Sequence, residues 1–283
     1  MKQTQLPKER DINLDALKIV GMLFIIAQHY ISYLNLINQN NTYIVVQSFC
    51  VVAVNCYVLV TGYYATKMKF KLRKIINLWA QVIFYSYLFF FLHHIFKIVD
   101  IGNIDAKSFL FPFLMEQYWF MSSYLILMLL VPLLTFLLKR TNKKQLLFIL
   151  IVFTFIRSFF PMLKIQMNTV GNGLGHTVSN MCYIYLVGSY MAMYFQERKD
   201  RKWTYFLIYV LTCISITVLY VLFIRLEDFK RAFFLIRSYH NIWITIASVS
   251  LFLFFRKIRI ETPIIKKRNC FITACSIGSI FNS

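Results

Sequence analysis

Along the chain, apolar residues come in long unbroken blocks separated by short polar, mostly basic stretches. A bilayer-crossing helix needs ~20 mostly apolar residues. Eight blocks reach or approach that length: Leu17–Ile37, Tyr43–Ala65, Ile75–Val99, Tyr118–Leu138, Gln145–Leu163, Val178–Phe195, Trp203–Ile224 and His240–Phe255. The last is short and extends backward into Phe233–Tyr239. Barrel strands would alternate apolar and polar residues over ~10 positions, and these blocks do not alternate. The pattern predicts an all-α, polytopic integral membrane helical bundle of about eight transmembrane helices. It divides the chain into a polar segment 1–16, a membrane region 17–255 and a basic tail 256–283. The first block is long enough to span and is expected to act as a signal anchor that is not cleaved.

The polar stretches orient the blocks. One side holds the segment before the first block and the loops after the second, fourth and sixth, together with the tail. That side carries 23 of the 31 Lys and Arg, the opposite loops carry 7, and Arg157 lies within a block. Basic residues favour the cytoplasmic side, so both termini are expected there, with the chain in the cell membrane. The net charge of +20 would suggest nucleic acid in a soluble domain. Here it maps topology and attraction to anionic membrane lipids, so no nucleic-acid partner is expected. It is also compatible with attracting a polyanionic cytosolic ligand.

Composition narrows the classes further. The chain is 59% hydrophobic and 15% charged, against ~25% charged in an ordinary soluble domain. A soluble globule and a disordered chain are both excluded. The six Cys contain no C-x2-C pair, so neither zinc nor redox chemistry is suggested, and no metal is expected. The Cys read as small buried apolar residues. The outer segments Lys97–Gln117, Lys164–Thr177 and Arg225–Tyr239 are too small to fold as domains. Chemistry must therefore occur within or between helices.

Polar residues inside spans default to functional hypotheses. Lys18 and His29 lie eleven residues apart in the first block. At 100° per residue they share a helix face, about 16 Å apart along the axis. Lys18 at the inner mouth could hold a phosphate while a desolvated, neutral His29 acts as base or nucleophile deeper in the membrane. The alternative is a packing histidine and a snorkelling lysine. His93, His94 and His240 read as interface residues. His176 follows Gly171-Asn172-Gly173-Leu174-Gly175, which lacks the ending of a phosphate loop and reads as a turn. Arg157 either snorkels to the outer headgroups or binds an anionic or sugar substrate. Glu116, Gln117, Tyr118 and Trp119 fit an aromatic belt or a carbohydrate contact. The basic run Lys69–Lys74 lies on the same side as Lys18, and Lys71 and Lys74 share a face if a helix starts there.

At these residues the chain resembles the acyltransferase family 3 membrane proteins. The opening Asn13-Leu14-Asp15-Ala16-Leu17-Lys18, then Ile25, Ile26 and His29, is similar to the family's Arg, ten residues, His. Thr61-Gly62-Tyr63-Tyr64 is similar to its Ser-Gly-Tyr ending, and Lys71-Leu72-Arg73-Lys74 to its basic helix entry. Tyr118-Trp119-Phe120, followed by Tyr124-Leu125 and Pro132, looks especially close. The family transfers acyl groups, usually acetyl, from acyl-CoA to sugars of capsules, lipopolysaccharide or peptidoglycan, or to secreted small molecules. The resemblance implies His29 as catalytic base or transient acyl carrier. It implies Lys18, Arg73 and Lys74, with Lys71 in the same cluster, at the CoA phosphates of acetyl-CoA or another acyl-CoA. Glu116, Tyr118, Trp119 and Arg157 would then meet a polysaccharide or lipid-linked sugar acceptor. Lys18 in place of Arg keeps the charge and loses the bidentate fork.

Family members usually have about ten spans and end near Gly-(Ile/Val)-Tyr-Leu-Ile-His. Thr273-Ala274-Cys275-Ser276-Ile277-Gly278 resembles the start of that pattern. A C-terminally truncated last helix is therefore expected in 256–283. Two alternatives stand beside an acyltransferase. One is a polysaccharide or lipid-linked sugar transporter or flippase, which should show paired interrupted helices. With 8 Gly and 5 Pro, the sequence shows none. The other is an inactive truncated family member.

Overall fold

The computed structural model describes residues 12–34, 40–65, 72–96, 119–159, 175–195 and 201–258. Every regular element among them is helical. In chain order these are α1 (Ile12–Tyr33), α2 (Asn41–Cys50), α3 (Ala53–Tyr63), α4 (Leu72–Phe96) and α5 (Trp119–Arg140). Then come α6 (Lys143–Thr154), continued by one π-helical turn (Phe155–Phe159), α7 (Val178–Tyr194), α8 (Lys202–Arg225), α9 (Phe229–Arg237) and α10 (Ile242–Lys257). All eight apolar blocks contain a helix. Among the described residues, five helical stretches are long and apolar enough to cross a membrane: Ile12–Tyr33, Asn41–Tyr63, Trp119–Arg140, Lys202–Arg225 and Arg231–Lys257.

The helices begin where polar side chains can take up free backbone N–H groups. Asn40, Asn142, Thr177, Asp228 and Asn241 cap α2, α6, α7, α9 and α10 in this way. Asn142 forms a full capping box with Gln145. Two features depart from the plain block pattern. The second block is interrupted at Val51–Val52, whose dihedrals (φ −60°, ψ −17° and φ −71°, ψ −16°) stay near helical, so the span continues. The eighth block is preceded by a separate short helix, α9, and a non-helical corner at Ser238–Asn241.

The centre of the bundle is α3, packed on by α1, α7 and α10. Apart from half-buried Tyr57 and Tyr63, all its residues are buried. Close approach to α7 needs glycine. A side chain on Gly62 would run into the backbone of Tyr185, and one on Gly188 into the backbone of Leu59. Ser189 Oγ, buried at the same crossing, donates to Gly62 O at 3.0 Å. Small residues at helix crossings are how membrane bundles gain contact without a hydrophobic drive between helices. The periphery is the reverse. On α8, Leu207, Leu211, Ile214, Val218 and Leu222 form an exposed apolar stripe. Water would not tolerate such a surface, and lipid chains cover it.

The contacts sort into two layers, one toward each end of the helices. At the end assigned to the cytoplasm, Arg256 lies 4.3 Å over the Tyr63 ring and Tyr194 Oη donates to Thr141 O. At the opposite end, α1, α5, the loop before α7 and the α9–α10 corner meet.

Candidate functional site

At the inner end of α1, Lys18 Nζ lies 3.4 Å from Asp15 Oδ1, and both side chains are largely buried. The i,i+3 spacing puts them on adjoining positions of one face. Tyr57 Oη donates to Lys18 O at 2.6 Å, and the Tyr57 ring packs on Gly21 one turn further along. Arg73 begins α4 with an exposed side chain. The chief neighbour of α4 is α5. Lys71, Glu116 and Tyr118 lie outside the described residues, as do the side chain of Lys74 and the tail 259–283.

From Tyr57 an aromatic path runs outward. The Tyr57 ring is 6.5 Å from Phe120, Phe120 is 6.0 Å from Trp119, and Trp119 is 5.3 Å from Tyr239. Tyr239 Oη donates to Gln28 Oε1 at 3.1 Å, which returns to α1. Gln28 Nε2 donates in turn to Cys50 O, beside the Val51–Val52 turn. Lys18, Tyr57, Phe120, Trp119, Tyr239 and Gln28 thus form a closed circuit of contacts along α1 from Lys18 to Gln28.

His29 follows Gln28. Its side chain is exposed on the helix, and its Nδ1 lies 2.8 Å from Ile25 O. A carbonyl can only accept, so Nδ1 carries the hydrogen. In the neutral ring this leaves the lone pair on Nε2. Because α1 is continuous over Ile12–Tyr33, Lys18 and His29 keep their eleven-residue separation on one face, about 16 Å along the axis.

Trp119, at the start of α5, stacks face to face on His176 at 3.8 Å and 9°. The sequence reads His176 as part of a turn; the structure packs its ring against Trp119 and Tyr239. Burial pushes its imidazole down to about 4 from 6.5, so the stacked ring is neutral. Gly175 makes the approach possible. It has φ +80°, and a side chain there would meet His240 N.

Arg157 does not snorkel outward. It is 3% exposed and turned into the bundle. Its Nε donates to His240 O at 3.3 Å, and its Nη2 to Tyr239 O and Thr245 Oγ1 at 3.4 Å each. Asn55 Nδ2 also donates to Tyr239 O, at 3.1 Å, and Ser158 Oγ donates to His240 O. The reason lies in the corner between α9 and α10. Carbonyls freed by the break have no helical partner, and lipid supplies none. Tyr183 covers the other side, 4.0 Å below the guanidinium.

The structure therefore joins Trp119, Arg157 and the neighbour of His29 through Tyr239 and His240. It keeps Lys18 in the inner layer. Sequence reasoning missed Asp15, Gln28, Asn55, His176 and Tyr239. Only Asp15 had a readable signal, its i,i+3 spacing from Lys18. The partners of the others lie tens to hundreds of residues away.

A family model described as an acyltransferase domain, that of acyltransferase family 3, matches residues 11–277. No curated protein and no solved structure matches the chain.

Proposed function

The chain belongs to acyltransferase family 3 and is a multi-pass membrane acyltransferase; from that premise we propose that it moves an acyl group, in the first instance acetyl, from cytosolic acyl-CoA to a hydroxyl of a cell-surface polysaccharide or its lipid-linked precursor. The observation that carries this reading is the state of His29. Its Nδ1 is tied to Ile25 O, its Nε2 is free, and it stands on the Lys18 face of α1. The donor's phosphates would be met at the inner mouth by Lys18, with Lys71, Arg73 and Lys74 adding positive potential. The separation of about 16 Å suits an extended pantetheine arm running outward to His29. The acceptor would approach from the outer layer, along Trp119 and toward Arg157, with Glu116 and Tyr118 at the same mouth.

The chemistry then balances simply. His29 Nε2 takes the proton of the acceptor hydroxyl as its oxygen attacks the thioester carbonyl. The carbon–sulfur bond breaks, and the CoA thiolate leaves with the proton returned by the imidazolium. The products are an ester and free CoA. Membranes supplied with radiolabelled acetyl-CoA test this: label should enter polysaccharide with the unaltered chain and fail with His29→Ala. Equal labelling would remove His29 from the reaction. Movement of lipid-linked sugar with no consumption of acetyl-CoA would indicate a flippase instead.

A further inference from the structure

Arg157 is a buried cation that no described carboxylate reaches. The carboxylates among the described residues are Asp15, Glu227 and Asp228; Asp15 pairs with Lys18, and Asp228 with Arg231. Nε and Nη2 of Arg157 are held by carbonyls and a hydroxyl, but Nη1 is buried with no hydrogen-bond partner. Asn180, 4% exposed, has the complementary vacancy: its Oδ1 is buried and unpartnered. Both residues reach the α9–α10 corner at His240. Asn180 Nδ2 donates to Gly175 O at 3.0 Å, and Gly175 packs against His240 N. Arg157 binds the other end of His240, at its carbonyl, and lies over the ring of Tyr183. Asn180 and Tyr183 are three residues apart on α7, about 4.5 Å along the axis.

A buried donor left unpaired costs about 1–3 kcal/mol, and a buried charge without a counterion costs more. One ligand type relieves both groups: an oxyanion carrying a nearby hydroxyl. We infer that Arg157 Nη1 and Asn180 Oδ1 form a subsite for a hydroxylated oxyanion, Nη1 donating to a carboxylate or phosphate oxygen and Oδ1 accepting from the adjacent hydroxyl. This deepens the proposed function and rests on it in one respect, that the bound group is the acyl acceptor. The acceptor is then anionic, either a sugar acid of the polymer or a lipid-linked sugar phosphate.

The test uses the full chain in phosphatidylcholine nanodiscs and reads equilibrium binding, not acyl transfer. Two probe pairs each set an anion against an uncharged counterpart: trigalacturonate against its methyl ester, and polyprenyl phosphoglucose against polyprenyl glucoside. The charged member of one pair should bind at least about tenfold more tightly, the size of one charge-assisted hydrogen bond. Preference in the first pair assigns the carboxylate source, and preference in the second the lipid phosphate. Arg157→Gln should abolish the preference, and Asn180→Ala should weaken both members of the preferred pair alike. Equal affinities within both pairs would overturn the subsite, as would a preference that survives in folded Arg157→Gln. If Arg157→Gln does not fold, the probe pairs on the unaltered chain and on Asn180→Ala decide. Selective anion binding without acetyl transfer would sink the proposed function alone.

Discussion

Lys18 and Arg157 are both cations drawn into the bundle, one in each layer, and they are held in opposite ways. Lys18 meets a carboxylate on its own helix. Arg157 meets carbonyls, a hydroxyl and an aromatic face, and no described carboxylate. The inner layer thus settles charge with charge at short sequence range. Arg157 is settled with dipoles freed by a broken helix, at sequence separations above eighty residues. Dipoles orient around a cation without cancelling it. Arg157 therefore keeps the positive character that Asp15 partly neutralises in Lys18.

His29→Ala tests the contrast most severely. We expect a fall of about 10²–10⁴-fold in acetyl transfer, the usual worth of a positioned general base, with acyl-CoA binding at the inner layer unchanged. Loss of acyl-CoA binding in this variant would mean that the two layers do not work separately. Next in size is Gly175→Ala, which forces a side chain into a positive-φ position against His240 N. A cost of roughly 1–2 kcal/mol from the backbone alone, plus the clash, should lower the unfolding midpoint in detergent. Acyl-CoA affinity should be spared, because the damage is confined to the outer layer.

Lys18→Gln should raise the KM for acyl-CoA about tenfold, the effect of losing one charge-assisted contact, with kcat little altered. Lys18→Arg should restore or better the parent KM. A kcat defect in place of the KM defect would place Lys18 with the chemistry and not with the donor's phosphates. The smallest effect concerns His176, whose folded imidazole is held near 4, below its ordinary 6.5. The unfolded chain therefore binds the extra proton first. Stability contributed by the neutral ring is complete above about 6.5 and declines as pH falls toward 4. The unfolding midpoint should drop across that window, and His176→Phe should lessen the drop. An unchanged slope in the variant would show that His176 is not the group responsible.

The helices were legible because lipid imposes a simple condition, long apolar runs with satisfied backbones. Interruptions were harder. Nothing in Val51–Val52 marks a break by composition, since neither residue is Gly or Pro. The break is supported from elsewhere: Gln28 donates to Cys50 O, Tyr209 to Phe49 O and Ser248 to Val52 O. The Ser238–Asn241 corner is likewise held by Asn55, Arg157 and Ser158. The α1 face carrying Lys18 and His29 was readable because its geometry is local. The direction of Arg157 was not, because local sequence cannot distinguish a side chain rising to headgroups from one turned toward distant carbonyls.

The bond from Asn55 to Tyr239 also sets a clock. Its partners are 184 residues apart, so at ordinary synthesis rates roughly 9–37 s separate the emergence of the donor from that of its acceptor. Through that interval α3, the helix destined for the centre, holds a bare amide inside the membrane. The early helices must shelter it until the α9–α10 corner arrives. Assembly is thus most vulnerable in its middle, and a ribosomal stall between these positions would do more harm than an equal stall before the second span.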